Sequence, residues 1–226
     1  MSAGQFQLGP SSLTDALYES VRSRIISGDI APGEKLTEQR IADDYRVARP
    51  TAKACLERLT ALGLLRRSAH KTAVVPELDE VDITDLFFTR EMFECTAADR
   101  LAQARTVPEA ARKAQTAIES AVRAKAFDDQ VVADIEFHWA LINAVDSPRL
   151  SRVYEMVSGE VHLTMGQFKA HRRTAPSTVA AEHALILKAI EDGDRAAARE
   201  QMAHHLQQAR DRVLAQVVAS REEAPA

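Results

Sequence analysis

Four side chains in the second half of the chain have the types and spacing to hold a metal ion. Asp134 and His138 stand four apart in Asp134-Ile135-Glu136-Phe137-His138, so on a helix both project from one face. The neighbouring Ile135, Trp139, Ile142 and Val145 turn that face towards a core. His183 keeps register with Ile186, Leu187 and Ile190, again on an apolar stripe. Of the adjacent pair His204 and His205, periodicity aligns His205 with Ala198, Met202, Ala209 and Val213, and His204 with Glu200, Gln201, Gln208 and Asp211. His205 is therefore expected inside and His204 in solvent. An inward aspartate and three inward histidines from three helices could close one site, and such ligands suit zinc, nickel, iron or a similar divalent ion. Spacing alone leaves open that each histidine is a hydrogen-bonded core residue. The aspartate is harder to place that way, because an unpaired buried charge is costly.

The first third of the chain carries different chemistry. Residues 1–76 hold eleven Lys or Arg against eight Asp or Glu, and the remainder eighteen against twenty-five, in a chain of net charge −4. Between Arg46 and Lys71 there are seven basic residues and one acid, Glu57. A basic segment in an acidic chain points to a local contact with a polyanion, although a solvated helix face has the same composition. Two short helices joined at Arg46-Val47 have helix-turn-helix form, in which the second helix presents its N-terminal residues to base edges. Arg49 could grip guanine through two hydrogen bonds, Lys53 lies one turn further, and Thr51 could reach a phosphate or a thymine methyl. His70 and Lys71 tip the following hairpin, within reach of phosphate or minor groove.

These groups need elements to position them. The chain has 226 residues, 46% hydrophobic and 27% charged, with few aromatics, and its wealth of Ala, Leu, Arg and Glu favours helices. The expected fold is mainly α. A winged helix-turn-helix of three helices and a two-stranded wing occupies 13–76, after a tail at 1–12. A linker at 77–82 leads to an antiparallel bundle of about six helices at 83–219, and 220–226 is a second tail. Leu17, Val21, Ile25 and Ile26 mark the first helix, which Gly28 stops. Thr37 caps a second helix over 38–45, and a third runs from about Ala48 to Leu62. Strand-like residues 64–67 and 72–76 form the hairpin. Further helices are expected at about 82–105, 108–126, 128–145, 148–169, 177–192 and 194–219, divided by proline or glycine. No apolar run reaches a membrane span. The first ten residues lack a signal-peptide pattern, and Cys55 and Cys95 show no disulfide framework. A cytoplasmic protein without membrane contact is expected.

The residues also carry a resemblance. Ile25-Ile26-Ser27-Gly28-x-Ile30-x-Pro32-Gly33-x-x-Leu36-x-Glu38, Ile41-Ala42, Val47-x-Arg49 and Leu56-x-x-Leu59-x-x-x-Gly63-Leu64 resemble the winged helix-turn-helix of GntR-family bacterial transcriptional regulators. The departures are Ala48 for the usual Ser or Thr, Lys53 for an arginine, and His70 and Thr72 for wing glycines; they bear on the operator sequence. Asp134-x-x-Phe137-His138, Glu182-His183-x-x-Ile186-x-x-Ala189-Ile190-x-x-Gly193-Asp194 and Met202-x-x-His205-Leu206 resemble the FCD effector domain of the FadR-type branch. That resemblance implies a divalent metal on Asp134, His138, His183 and His205, zinc first, with nickel, iron or manganese as alternatives. Its open positions would take water or a carboxylate effector. The segment Thr89-Arg90-Glu91-Met92-Phe93-Glu94 is similar to the family's first-helix segment, whose arginine faces the same pocket. Arg90 would pair a second carboxylate of the effector, or form a salt bridge with Glu94 one turn on.

The resulting expectation is a metabolite-responsive regulator, not an enzyme. It would bind a palindromic double-stranded DNA operator as a homodimer, since paired half-sites bind far more tightly and specifically than one, and a small organic acid would modulate it. Repression relieved by the effector is the commoner arrangement in such families. Two alternatives accompany it. One is a metal-dependent hydrolase, because Asp/His₃ with an open position could activate water; no HExxH motif is present and Glu136 points away from His138. The other is a regulator whose metal is purely structural.

Overall fold

Apolar residues four apart build the first helix, α1 (Leu13–Ser27), which buries Leu17, Tyr18, Val21 and Ile25. Tyr18 completes the stripe that Ile26, only half-buried, was expected to fill. The computed structural model describes residues 13–67, 72–168 and 176–222, and these divide into two compact units between Glu77 and Leu78. Gly28 ends α1 at φ +86°, a left-handed conformation that costs glycine nothing. Thr37 caps α2 (Glu38–Tyr45), its hydroxyl accepting the Arg40 N–H at 3.1 Å. Arg46 leaves α2 at φ 52°, Val47 completes the turn, and α3 (Arg49–Ala61) buries Ala52, Cys55, Leu56 and Leu59.

Ala48 precedes α3 in extended conformation and offers no side-chain cap. Replacing it with serine would give the Thr51 N–H, which now reaches only the Ala48 carbonyl at 2.9 Å, a side-chain acceptor, Pro50 before it having no N–H. A48S is expected to stabilise the N-terminal unit by ~1 kcal/mol, or about 4–8 °C for a domain of that size. Calorimetry checks this, and an unchanged or lower transition rejects it.

The small sheet differs from the expected hairpin. β1 (Lys35–Leu36) pairs antiparallel with β2 (Ala73–Val74), in register Lys35 with Val74 and Leu36 with Ala73. Arg66 bridges Val74 from the other side, with bonds of 2.8 and 3.0 Å. Val74 is thus central, and only one residue of the expected 64–67 strand pairs. Two-residue strands carry no readable alternation, so nothing local marked Lys35 and Leu36 as strand.

Nine helices lie among the described residues, six of them in the C-terminal unit. α4 (Glu80–Ala104) begins earlier than expected because Asp79 and Asp82 form a capping box: Asp79 accepts the Val81 and Asp82 N–H groups and donates its own N–H to Asp82. α5 (Glu109–Ala124), α6 (Phe127–Asn143), α7 (Pro148–Phe168) and α8 (Pro176–Asp192) follow close to expectation. α9 (Arg195–Glu222) continues three residues into the segment expected to be a tail. α4 lies along α9, α5 along α6, and α8 against both α4 and α9. Leu86, Ala97, Ile135, Ile142, Tyr154, Val157 and Val161 form a core cluster, and Trp139 and Met165 pack against it. The inward faces of α4, α6, α8 and α9 set the candidate site.

Candidate functional site

Asp134 and His138 lie on α6, His183 on α8 and His205 on α9, and their ligand atoms all fall within 4.8 Å of one another. All three histidines are buried. The Nε2 atoms of His138 and His205 are 3.2 Å apart and those of His183 and His205 3.3 Å. His183 Nε2 is 3.5 Å from Asp134 Oδ1, and His138 Nε2 is 4.0 Å from Asp134 Oδ2. Ligands 2.0–2.1 Å from a tetrahedral ion stand about 3.3 Å apart, so His205 has the spacing of a shared metal with both His138 and His183. His204 is exposed, as its register requires.

The outer nitrogens sharpen the picture. His205 Nδ1 meets Glu182 Oε2 at 2.7 Å. His138 Nδ1 meets Glu94 Oε2 at 2.6 Å, at a poor angle for a hydrogen bond, although neither atom has another hydrogen-bond partner among the described residues. A carboxylate at Nδ1 holds the ring proton there and leaves Nε2 as a lone pair. With both rings in that tautomer the Nε2 lone pairs of His138 and His205 would face each other at 3.2 Å, an arrangement that a cation between them would relieve. Burial, followed by the positive surroundings, holds His183 well below the usual histidine range. Burial also lowers His205, against the opposing pull of Glu182. Both are thus neutral imidazoles, the form that binds metal. His183 stacks on Phe137 at 3.8 Å, which fixes its ring plane.

Each outer carboxylate is backed by an arginine. Glu94 Oε1 accepts Arg90 Nε at 2.8 Å and the Tyr154 hydroxyl at 2.6 Å, all three residues being buried. The Arg90–Glu94 salt bridge is formed, and Arg90 also lines the cleft beside Asp134 and His205. Glu182 stands between His205 and Arg212. Sequence reasoning missed the outer roles of Glu94 and Glu182, and Arg212 altogether. A signal existed for Arg212, seven residues beyond His205 and so two turns along the same face. Glu136 is exposed, away from the cluster.

In the N-terminal unit Arg49 opens α3 with its side chain 65% exposed, 3.9 Å from Glu38, and Lys53 follows on the same face 3.7 Å from Glu57. Thr51 is half-buried in the first turn. Arg58 belongs to the scaffold instead: it bonds Asp15 at 2.8 Å and lies 3.8 Å over the Tyr18 ring, tying α3 to α1. The hairpin-tip residues His70 and Lys71 lie outside the described residues.

A helix-turn-helix unit joined to an all-helical unit defines a class of DNA-binding regulator. Residues 13–75 match the bacterial regulatory proteins of the gntR family, and residues 85–208 match the FCD domain. The chain belongs to the GntR family with an FCD domain and is a transcriptional regulator of that type. It is 24% identical to the transcriptional repressor RspR of Escherichia coli K12 over 89% of this chain and 90% of that one. It is 24% identical to the gluconate operon transcriptional repressor of Bacillus subtilis over 87% and 82%. Among solved structures, a Rhodococcus sp. RHA1 protein assigned to the GntR regulators superposes with TM-score 0.76 at 24% identity, covering 91% of this chain and 99% of that one. The metal-free FCD domain of TM0439 superposes with TM-score 0.53 at 20% identity, over 63% and 99%. These relatives are regulators, and nothing among them supports a hydrolase. Among the described residues, no helix is long and apolar enough to cross a membrane.

Proposed function

We propose that this regulator is a repressor that senses a small organic acid through a divalent metal, zinc first, held by Asp134, His138, His183 and His205. The observation that carries the reading is the convergence of three imidazole Nε2 atoms and one carboxylate at metal-ligand spacing, with two imidazoles oriented by outer carboxylates. The ion would supply a positive centre that could take one carboxylate by expanding its coordination beyond the four protein ligands. Arg90 adds a cationic wall to the same cleft. The repressor reading draws support from the names of RspR and the gluconate operon repressor.

The protein acts as a homodimer on a palindromic operator, with α3 of each protomer in the major groove, since two half-sites supply the affinity and specificity that one lacks. Arg49 reads a guanine edge, Lys53 and Thr51 contact the strand beside it, and His70 and Lys71 reach phosphate or minor groove. The acid shifts the balance between arrangements of the two DNA-binding units only so far as it prefers one of them.

Selection of genomic fragments by the zinc-loaded protein at near-physiological salt tests this. Recovery of palindromic sites that an acid then releases supports the reading, and a salt-sensitive background without enriched sites overturns it. On a recovered operator R49A is expected to weaken binding by about 10- to 100-fold and to relax preference at one base pair, as loss of a two-bond guanine contact does. Fluorescence anisotropy against single-base operator variants measures both effects, and uniform weakening at every position would make Arg49 a phosphate contact.

A further inference from the structure

The cleft at the cluster is lined by Asp134 and His205, by Arg90 and Arg212, and by apolar side chains that include Val131, Met165 and Val213. Its two arginines are differently placed. Arg90 is buried, and its Nε is taken by Glu94 at 2.8 Å. Arg212 keeps 23% of its side chain exposed and reaches Glu182 only at 3.4 and 3.5 Å, well beyond the ~2.7–2.9 Å of a strong charge-assisted hydrogen bond. Glu182 Oε2 is already engaged by His205 at 2.7 Å. Arg212 therefore has a partner that does not satisfy it and donors left for another. Between His205 and Arg212 on α9 stands Ala209, also part of the cleft wall, so no bulky side chain of this helix separates the cluster from the guanidinium.

We infer that Arg212 recognises a second carboxylate of the effector, and that the ligand class is a short aliphatic dicarboxylate. One carboxylate sits at the metal, the methylenes lie along Ala209, Val131 and Val213, and the other carboxylate meets the guanidinium fork. The apolar side chains suit methylenes, and Gln130 is the one amide among the described residues of the cleft wall. This assignment rests on the metal-centre reading and adds to it the residue and charge pattern that select the acid.

The test is calorimetric titration of the zinc-loaded full-length protein with malonate, succinate and glutarate, each against the monoacid of equal chain length: propionate, butyrate and valerate. At least one diacid is expected to bind about 10- to 100-fold more tightly than its monoacid, the value of a charge-assisted pair. R212M is expected to lose that preference, its diacid-to-monoacid ratio falling to about one, and R212K, which keeps the charge without the fork, to fall between. A merely structural role would weaken both acid series alike, so the diacid-to-monoacid ratio is the deciding readout. An unchanged ratio in R212M and R212K overturns the assignment, as does wild-type protein that binds zinc yet treats both series equally. Failure of the wild-type protein to bind zinc in a chelator competition overturns the metal centre, and this inference with it.

Discussion

Zinc added to the metal-free protein at about a thousand times its dissociation constant is expected to stabilise the fold by ~4 kcal/mol. For a chain of this size that is a rise in melting temperature of about 8–16 °C. The D134N variant tests the centre with the least disturbance, because asparagine keeps the shape of Asp134 and removes the anionic ligand 3.5 Å from His183 Nε2. Four-ligand zinc sites bind with ~10–16 kcal/mol, so one ligand in four is worth ~3 kcal/mol, or about 100-fold in affinity. At the same zinc concentration D134N then sits near ten times its own dissociation constant. Its gain falls to ~1.4 kcal/mol, a shift of about 3–6 °C. Scanning fluorimetry with and without zinc measures the shifts, and chelator competition measures the affinities. Equal shifts in the two proteins would remove Asp134 from the site, and no shift in either would remove the metal.

E94A is expected to cost more in stability than any other single change near the site, ~3–5 kcal/mol. Glu94 is 1% exposed and is shared by Arg90, Tyr154 and His138. Burial alone would raise its pKa, but the Arg90 charge and then His138 outweigh this and hold the carboxyl well below the usual range. Truncation leaves a guanidinium in the core without its counter-ion, which is the costly half of breaking a buried pair. The double variant R90M/E94M, with apolar side chains of similar length at both positions, is expected to recover most of that loss. Zinc affinity should separate from stability in this pair. Both variants lack the carboxylate that orients His138, and both are expected to bind zinc about 10- to 100-fold more weakly than wild type. Denaturant melts and zinc competition on the same samples give the two numbers. Full recovery of zinc affinity in R90M/E94M would show that Glu94 acts on the fold alone.

Much of this organisation was legible in the sequence. Apolar recurrence every three to four residues, together with the caps and the proline or glycine breaks between runs, located the helices among the described residues, because burial of one face imposes that period on each helix independently of its neighbours. Thr37 and Gly28 marked helix ends through their own chemistry, a side-chain acceptor and a left-handed backbone. The same periodicity sent Asp134, His138, His183 and His205 inward and His204 outward. Helix ends were less certain: the capping box at Asp79 and the extension of α9 to Glu222 moved boundaries by about a turn.

Other features depend on contacts between elements distant in sequence. β1 is strand only because Val74 reaches it across the unit. Arg58, one of seven basic residues in its segment, is claimed by Asp15 and Tyr18 of another helix. Glu94 and Glu182 became the orienting partners of His138 and His205 through the placement of α4 against α6 and of α8 against α9. From sequence alone, four inward side chains could be named, and the family resemblance grouped them. Their convergence within 4.8 Å, and the weakly held guanidinium beside them, were decided by tertiary structure. The physical reason is that local periodicity determines which way a side chain points, whereas the packing of whole helices determines what it meets.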